Sequence, residues 1–305
     1  MVKVFIIILN WNGAEDTLNC LKSLEKLKKD KYSLTTVVVD NASSDDSVTK
    51  LRKYMKVRDG HTLIINKSNL GYAGGMNSGL TYSLKKRANY VMCINNDTIV
   101  DKYLIEKMIV STGKKKNIGI ICPKIYFAKG YEFHKKRYKK SELGKVIWYA
   151  GGEIDWDNIY GSNRGVDEVD EGQFEKEEET DFATGNCMLI NVKALKDIGF
   201  FNEKYFLYLE DMELSIRMKN AGWKILYSPK GYLWHKVAQS SGIGSDLNDY
   251  YTTRNRMLFG YTYASTRTKL ALFRESIKLL ISGREWQRTG IKDFYLRKFG
   301  KGSWK

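Results

Sequence analysis

The chain has 305 residues, of which 43% are hydrophobic and 28% charged, with a net charge of +16. That length suits one large α/β domain with a tail, or two small domains. No run approaches the roughly 18–20 apolar residues needed to span a bilayer, and Val4–Leu9 is too short for a signal peptide, so a soluble or peripheral, cytoplasmic protein is expected. The positive surface draws polyanions such as anionic lipid or phosphorylated substrates. It is uneven, with 14 Lys/Arg against 5 Asp/Glu in residues 236–305. Cys20, Cys93, Cys122 and Cys187 show no CxxC spacing and read as buried free thiols in a reducing compartment.

In chain order, Lys3–Leu9 is a continuous apolar run, hence a strand. Asp16–Lys28 carries Leu18, Leu21 and Leu24 at helical spacing. Thr36–Val39 is β-branched. Asp45–Met55 reads as a helix with Ser44 as N-cap. Thr62–Ile65 is strand-like, and Gly74–Lys86 is a helix with a glycine-rich start. Tyr90–Ile94 is a strand, followed by a helix around Lys102–Thr112 and a strand at Ile118–Cys122. Apolar strands alternating with helical crossovers imply a mostly parallel sheet with helices on both faces. Ligands in such sheets bind beyond the carboxyl ends of the strands. The basic run His134–Lys140 and the acidic run Asp167–Asp181 read as solvated loops. Phe182–Asn191 is apolar again, Asp211–Ala221 is a helix stopped by Gly222, and Ile225–Tyr227 and Tyr232–Trp234 are two short strands.

The chemistry sits at the strand ends. The first strand closes in Asn10-Trp11-Asn12-Gly13 and the second in Asp40-Asn41-Ala42-Ser43-Ser44, residues able to bond a base or ribose, or merely to cap a helix. In Asn66–Gly79, Gly71, Gly74, Gly75 and Gly79 let the backbone approach a ligand, and the helix that follows favours phosphate at its start. This run is neither a dinucleotide fingerprint nor a P-loop. Asn95-Asn96-Asp97 offers hard oxygen ligands for Mg²⁺ or Mn²⁺. Glu210-Asp211 opens a helix after an aromatic stretch, where neighbouring carboxylates raise one pKa towards that of a useful base. His235 closes a short strand as a metal ligand or a core histidine.

Together, IIILNWNG (6–13), VVVDNASSDDS (37–47), NLGYAGGMNSGL (69–80), CINNDT (93–98), ATGNCMLI (183–190), FFNEKYFLYLEDMELSIRMKNAGW (200–223) and LWH (233–235) resemble the inverting nucleotide-sugar glycosyltransferase family 2, of GT-A (Rossmann-like) fold. Asp249–Arg256 adds a likeness to its rhamnosyltransferase-like branch. The resemblance covers residues 1–235 as a GT-A domain and leaves 236–305 as a basic, amphipathic helical extension. It implies donor contacts from Asn10, Asn12, Asp40, Asn69, Gly71 and Asn96. It implies a metal held by Asp97 with His235, since the first position of the DxD-type motif is Asn95 here. It also implies Asp211 as general base with Glu210 beside it, and Gly185 and Asn186 on the acceptor wall. Arg254 and Arg256 are candidates for acceptor or donor phosphate.

The expected reaction is transfer of a sugar, with rhamnose favoured by the resemblance, from a dTDP- or UDP-linked donor to a glycan or lipid-linked acceptor hydroxyl with inversion. Mg²⁺ or Mn²⁺ would neutralise the leaving diphosphate. The basic tail, rich in Leu, Ile, Phe and Trp, suits an anionic membrane surface on the cytoplasmic face, a partner, or the chain's own domain. One rival is a sugar nucleotidyltransferase, which would want a basic glycine-rich loop where NWNGAED stands. Another is a non-catalytic nucleotide- or anionic-lipid-binding protein. No nucleic-acid-binding pattern is present.

Overall fold

The computed structural model describes residues 1–113, 115–237 and 244–304. Its first half alternates strand and helix: β1 (Val2–Asn10), α1 (Ala14–Leu24), β2 (Tyr32–Asp40), α2 (Ser47–Met55), β3 (His61–Ile65), α3 (Gly71–Lys85), β4 (Tyr90–Asn95), β5 (Thr98–Val100), α4 (Leu104–Thr112) and β6 (Ile118–Phe127). After a 3₁₀ turn at Lys135–Arg137 come β7 (Ile147–Tyr149), β8 (Gly152–Asp155), β9 (Tyr160–Asn163), β10 (Glu178–Glu179) and β11 (Cys187–Asn191). Then follow α5 (Val192–Ile198), α6 (Glu210–Asn220), β12 (Lys224–His235), α7 (Asp246–Tyr263), α8 (Thr266–Ser282) and α9 (Glu285–Tyr295).

The main sheet runs β10-β12-β6-β11-β4-β1-β2-β3, with β5 and β7 attached to β12 and β6. β1, β2, β3 and β4 are mutually parallel, and β6 is parallel to β12. β11 is antiparallel to both β4 and β6 and joins these two blocks, so the sheet is mixed. Residues 4–8 of β1 and 37–39 of β2 are buried on both faces, which is why both read as unbroken apolar runs. β8 and β9 form a separate hairpin.

Three local expectations change. α2 starts at Ser47 rather than Asp45: Asp45 accepts the Ser47 amide at 3.0 Å, while the Ser44 amide is bound by Asn12. The two short strands expected near 225–234 are one strand, β12, with an irregular register between Ser228 and Tyr232. The acidic run 167–181 is a strap rather than a solvated loop. Asp170 and Glu175 flank the Lys124 ammonium, whose side chain is 1% exposed. Glu178 pairs with Arg164, Glu179 with Lys224 and Asp181 with Lys219. A cation as buried as Lys124 is tolerated only with such partners.

The C-terminal helices turn their inner faces onto the chain's own body. Met257, Phe259, Leu272 and Ile291 share one apolar cluster with Ile154, Ile159, Phe182, Met212 and Ile216. Among the described residues, no helix is long and apolar enough to cross a membrane. All four cysteines are buried and free.

Candidate active site

Parallel pairing sets Asn10 beside Asp40 at the tips of β1 and β2. Both are fully buried. Asn10 Nδ2 donates to Asp40 Oδ2 at 2.8 Å and to Ser43 Oγ at 3.1 Å, and Asn10 Oδ1 accepts from Thr17 Oγ1 at 2.7 Å. Asp40 also accepts from the Ser43 amide and hydroxyl. These two residues, expected to meet the base, are hydrogen-bonded to one another and to the turn after β2. The exposed residues of the same loops are Trp11, Asn12, Ser44, Asp45 and Asp46. Asn12, left-handed at φ 50°, accepts the Ser44 amide at 2.8 Å.

Asn41 extends this network. It donates to Asn69 Oδ1 and Gly71 O and accepts from Asn66 Nδ2 and the Leu70 amide, at 2.9–3.1 Å. Gly71 must be glycine, because its φ is +69° and a Cβ there would lie 2.4 Å from Phe206 O. Its close neighbour is thus Phe206 of the 200–209 loop. Gly75 and Gly79 let α3 lie on Leu9 and Ile7 of β1, so the glycine-rich run serves helix–sheet packing. Asn96 ties the end of β4 to the first loop, through Gly13 O and Thr17 Oγ1.

A cavity of about 1170 Å³ opens beyond the ends of β4, β6 and β12. Asp97, His235, Gly185, Asn186, Glu210 and Asp211 all line it. Asp97 and Asp211, far apart in sequence, therefore converge on one space. β5–β12 pairing brings residues 97–98 to His235, and His235 Nε2 lies 3.2 Å from Asp97 Oδ2. The imidazole also stands edge-on to Trp148 at 4.7 Å. Asp97 Oδ1, His235 Nδ1, Glu210 Oε2 and both amide atoms of Asn186 are buried without a hydrogen-bond partner. Buried polar atoms normally find partners, so their concentration around one cavity marks a place built for a polar ligand.

Asp211 is held by backbone amides: Gly185 N donates to Oδ2 at 2.8 Å and Met212 N to Oδ1 at 2.7 Å. Burial raises its pKa above the ordinary carboxylate value, and the amides only partly offset this. Burial, and then the charge of Asp211, pushes Glu210 well above its usual range. Such a pair separates into a protonated acid and an ionisable base. Tyr72 closes the wall by donating to Gly185 O at 2.5 Å.

The loop ahead of these acids is strained. Phe206, Tyr208 and Leu209 all have φ between 62° and 68°, a region large side chains seldom occupy. α7 holds it there. Asn255 Nδ2 donates to the carbonyls of Tyr205, Leu207 and Tyr208 at 2.8–2.9 Å. Arg254 donates to Lys204 O, Tyr205 O and Gly300 O. Arg254 is therefore not a phosphate ligand, since its side chain is fully buried and its guanidinium is consumed by carbonyls and Asn255. Arg256 is likewise committed, bidentate to Glu275 and bonded to Asn158 O, over the Tyr160 ring at 4.4 Å. Sequence reasoning missed Asn255, although its segment had been singled out. It also missed Tyr72, Trp148 and the basic turn 135–137 on the cavity wall.

The glycosyl transferase family 2 model matches residues 5–199. The chain belongs to this family. A low-salt glycan biosynthesis hexosyltransferase, Agl10, of Haloferax volcanii is 27% identical over 280 residues, covering 91% of this chain and 81% of the relative. An N-acetylglucosaminyl-diphospho-decaprenol L-rhamnosyltransferase of Mycobacterium tuberculosis is 24% identical, covering 68% of each chain. The fold matches a solved GalNAc-T7 with UDP, GalNAc and Mn²⁺ at a TM-score of 0.64 and 15% identity, over 97% of this chain and 57% of that one. It also matches the mannosyltransferase PcManGT of Pyrobaculum calidifontis with GDP-Man and Mn²⁺ at 0.56 and 14% identity, over 96% and 74%. This family 2 chain is thus a GT-A glycosyltransferase using a nucleotide-sugar donor, similar to a hexosyltransferase and to a rhamnosyltransferase.

Proposed function

We propose that the chain transfers a hexose, with rhamnose the first candidate, from a dTDP- or UDP-linked donor to a lipid-linked or glycan hydroxyl with inversion. The observation that carries this reading is the single cavity shared by Asp97–His235 and the amide-held Asp211. The donor would lie across the loops framed by Asn10, Asn12, Asp40, Asn69, Gly71 and Asn96, with its diphosphate towards Asp97.

Asp97 and His235 fit a divalent cation: one carboxylate oxygen of Asp97 lacks a partner, and the imidazole Nε2 faces the other at 3.2 Å, where a cation would replace that contact. Among the described residues no group of three or more His, Cys, Asp or Glu could hold a metal, so substrate oxygens would complete the shell, as is usual for Mg²⁺. The bound ion would supply neutralisation of the departing diphosphate. Asp211 takes the acceptor proton as that oxygen attacks the anomeric carbon from the face opposite the diphosphate. Glu210, protonated beside it, keeps a second negative charge off the cavity wall. Asn186 and Gly185 present the acceptor-side wall.

The functional unit divides at about residue 235, with the tail as an integral buttress. α8 shows a lengthwise stripe of exposed Leu270, Phe273, Ile277 and Ile281 beside exposed Arg267, Arg274 and Lys278. That face suits an anionic membrane surface, where a lipid-linked acceptor would be met. Product analysis tests the function: a free nucleoside diphosphate and an inverted anomeric centre are expected, whereas pyrophosphate release would mean nucleotidyl transfer. Flotation with anionic vesicles tests α8. I277E/I281E is expected to abolish vesicle binding, and unchanged binding would remove the membrane role.

A further inference from the structure

The 128–145 loop rises from the end of β6, where Phe127 is register partner of His235. Buried Glu132 binds it at both ends, accepting the Gly130 and Gly144 amides at 2.8 Å. Trp234 Nε1 donates to Gly144 O at 2.9 Å, Tyr138 OH to Asp167 O at 2.9 Å, and Phe133 stacks edge-on to Phe127 at 4.9 Å. These ties reach the same strand that carries His235, so the loop is held against the active cavity. Its turn sets Lys135, Lys136 and Arg137 on the cavity wall. All three are exposed.

The neighbouring acids are engaged elsewhere. Glu132 is taken by amides, Glu142 caps the Lys139 amide and Asp167 faces His134. Among the described residues, none of these three cations has an ion pair or side-chain hydrogen bond. Three unpaired positive charges on a held loop therefore border a cavity that Asp97 and Asp211 also line, and exposed rings of Tyr131 and Phe133 stand beside them. A small anion would be matched by one or two lysines. A row of two ammonium groups and one guanidinium, next to aromatic surface, matches a diphosphate carrying an apolar or sugar group.

We propose that Lys135, Lys136 and Arg137 form a diphosphate-binding rim of this cavity, engaging the diphosphate of a lipid-linked acceptor or of the sugar donor. The assignment rests on the glycosyl-transfer reading and names what the substrate must carry.

Isothermal titration compares the full chain with K135Q/K136Q/R137Q, using farnesyl diphosphate as one probe and UDP, dTDP and GDP with Mn²⁺ as the other. Loss of affinity of at least about tenfold is expected for a ligand held by such charge-assisted contacts. If only farnesyl diphosphate weakens, the rim serves the acceptor; if only the nucleotides weaken, it serves the donor. K135R/K136R/R137K should retain binding, showing that charge rather than shape is used. Unchanged affinity for both probes in the neutral variant, with its melting temperature intact, overturns the rim. A wild-type chain that binds no nucleoside diphosphate at all fails the glycosyltransferase reading instead, and the two failures are thus separable.

Discussion

The row of strand tips has two ends of opposite character. Around Asn10, Asp40, Asn41 and Asn69, polar side chains satisfy one another. Around Asp97, Asn186, Glu210 and His235, polar atoms are buried and left without partners. The first end is a finished scaffold, whose hydrogen bonds fix loop shape before any ligand arrives. The second stores unmet hydrogen-bonding capacity, costly in a folded protein and useful where a ligand must be gripped. Substitutions at the first end should therefore register in stability, and those of Asp97, Asp211 and His235 at the second in catalysis, whereas the buried Glu210 beside them reads out in stability.

The largest effect is expected at Asp211. Asp211→Asn should lower kcat by about 10²–10⁴-fold while leaving donor-induced thermal stabilisation intact. Because its pKa is raised, the wild-type acid limb of kcat/KM should lie above the ordinary carboxylate range. A base must be ionised, so activity falls as pH drops through that raised value. Next, EDTA should abolish turnover, and Asp97→Asn with His235→Ala should remove the rise in melting temperature given by Mn²⁺ plus nucleotide. Full activity after exhaustive chelation would contradict the cation's role.

Asn255→Ala comes third. It frees the three carbonyls that hold the loop before Asp211, and displacement of a reacting group by an ångström can cost about 10²-fold in rate. The loss should fall on kcat with donor affinity preserved, measured well below the melting transition. A loss confined to stability would make Asn255 structural only. At the scaffold end, Asn41→Ala strands the buried Gly71 carbonyl, at about 1–3 kcal/mol, and breaks three partly buried hydrogen bonds, visible in denaturant titration. The smallest change is Glu210→Gln. Glu210 binds its proton more tightly folded than unfolded, so its stabilising contribution is complete below the ordinary glutamate pKa and is lost as pH rises through the raised value. The glutamine variant should melt higher than wild type on the alkaline side, with the gap closing in acid.

Much of the scaffold was legible because doubly buried strands announce themselves as apolar runs and their tips as Asn, Asp and small hydroxyl residues. Asp97, Asp211 and His235 stood out only together, through their resemblance to the family's motifs, because each alone reads equally well as a helix cap or a core residue. The direction of β11 was not legible, since Cys187–Asn191 would look alike in a parallel or antiparallel strand. Nor was the strain at Phe206, Tyr208 and Leu209, because such residues rarely take left-handed backbone and only α7 keeps them there. Arg254 illustrates the reverse error. An arginine in a basic tail invites an anion, but burial turned this one towards carbonyls. The basic run 134–140 read as solvent-facing because its place on the cavity depends on Glu132 and Trp234, contacts that no local pattern encodes.

The Arg254 guanidinium bridges Lys204 and Tyr205 to Gly300, tying the loop before Asp211 to residues translated long after it. The sheet can assemble first, yet the base is aimed only when α7 and the 298–304 segment have docked. A nascent polypeptide still short of that segment is expected to be catalytically silent, so competence arrives late in biogenesis, as the last tertiary event rather than the first.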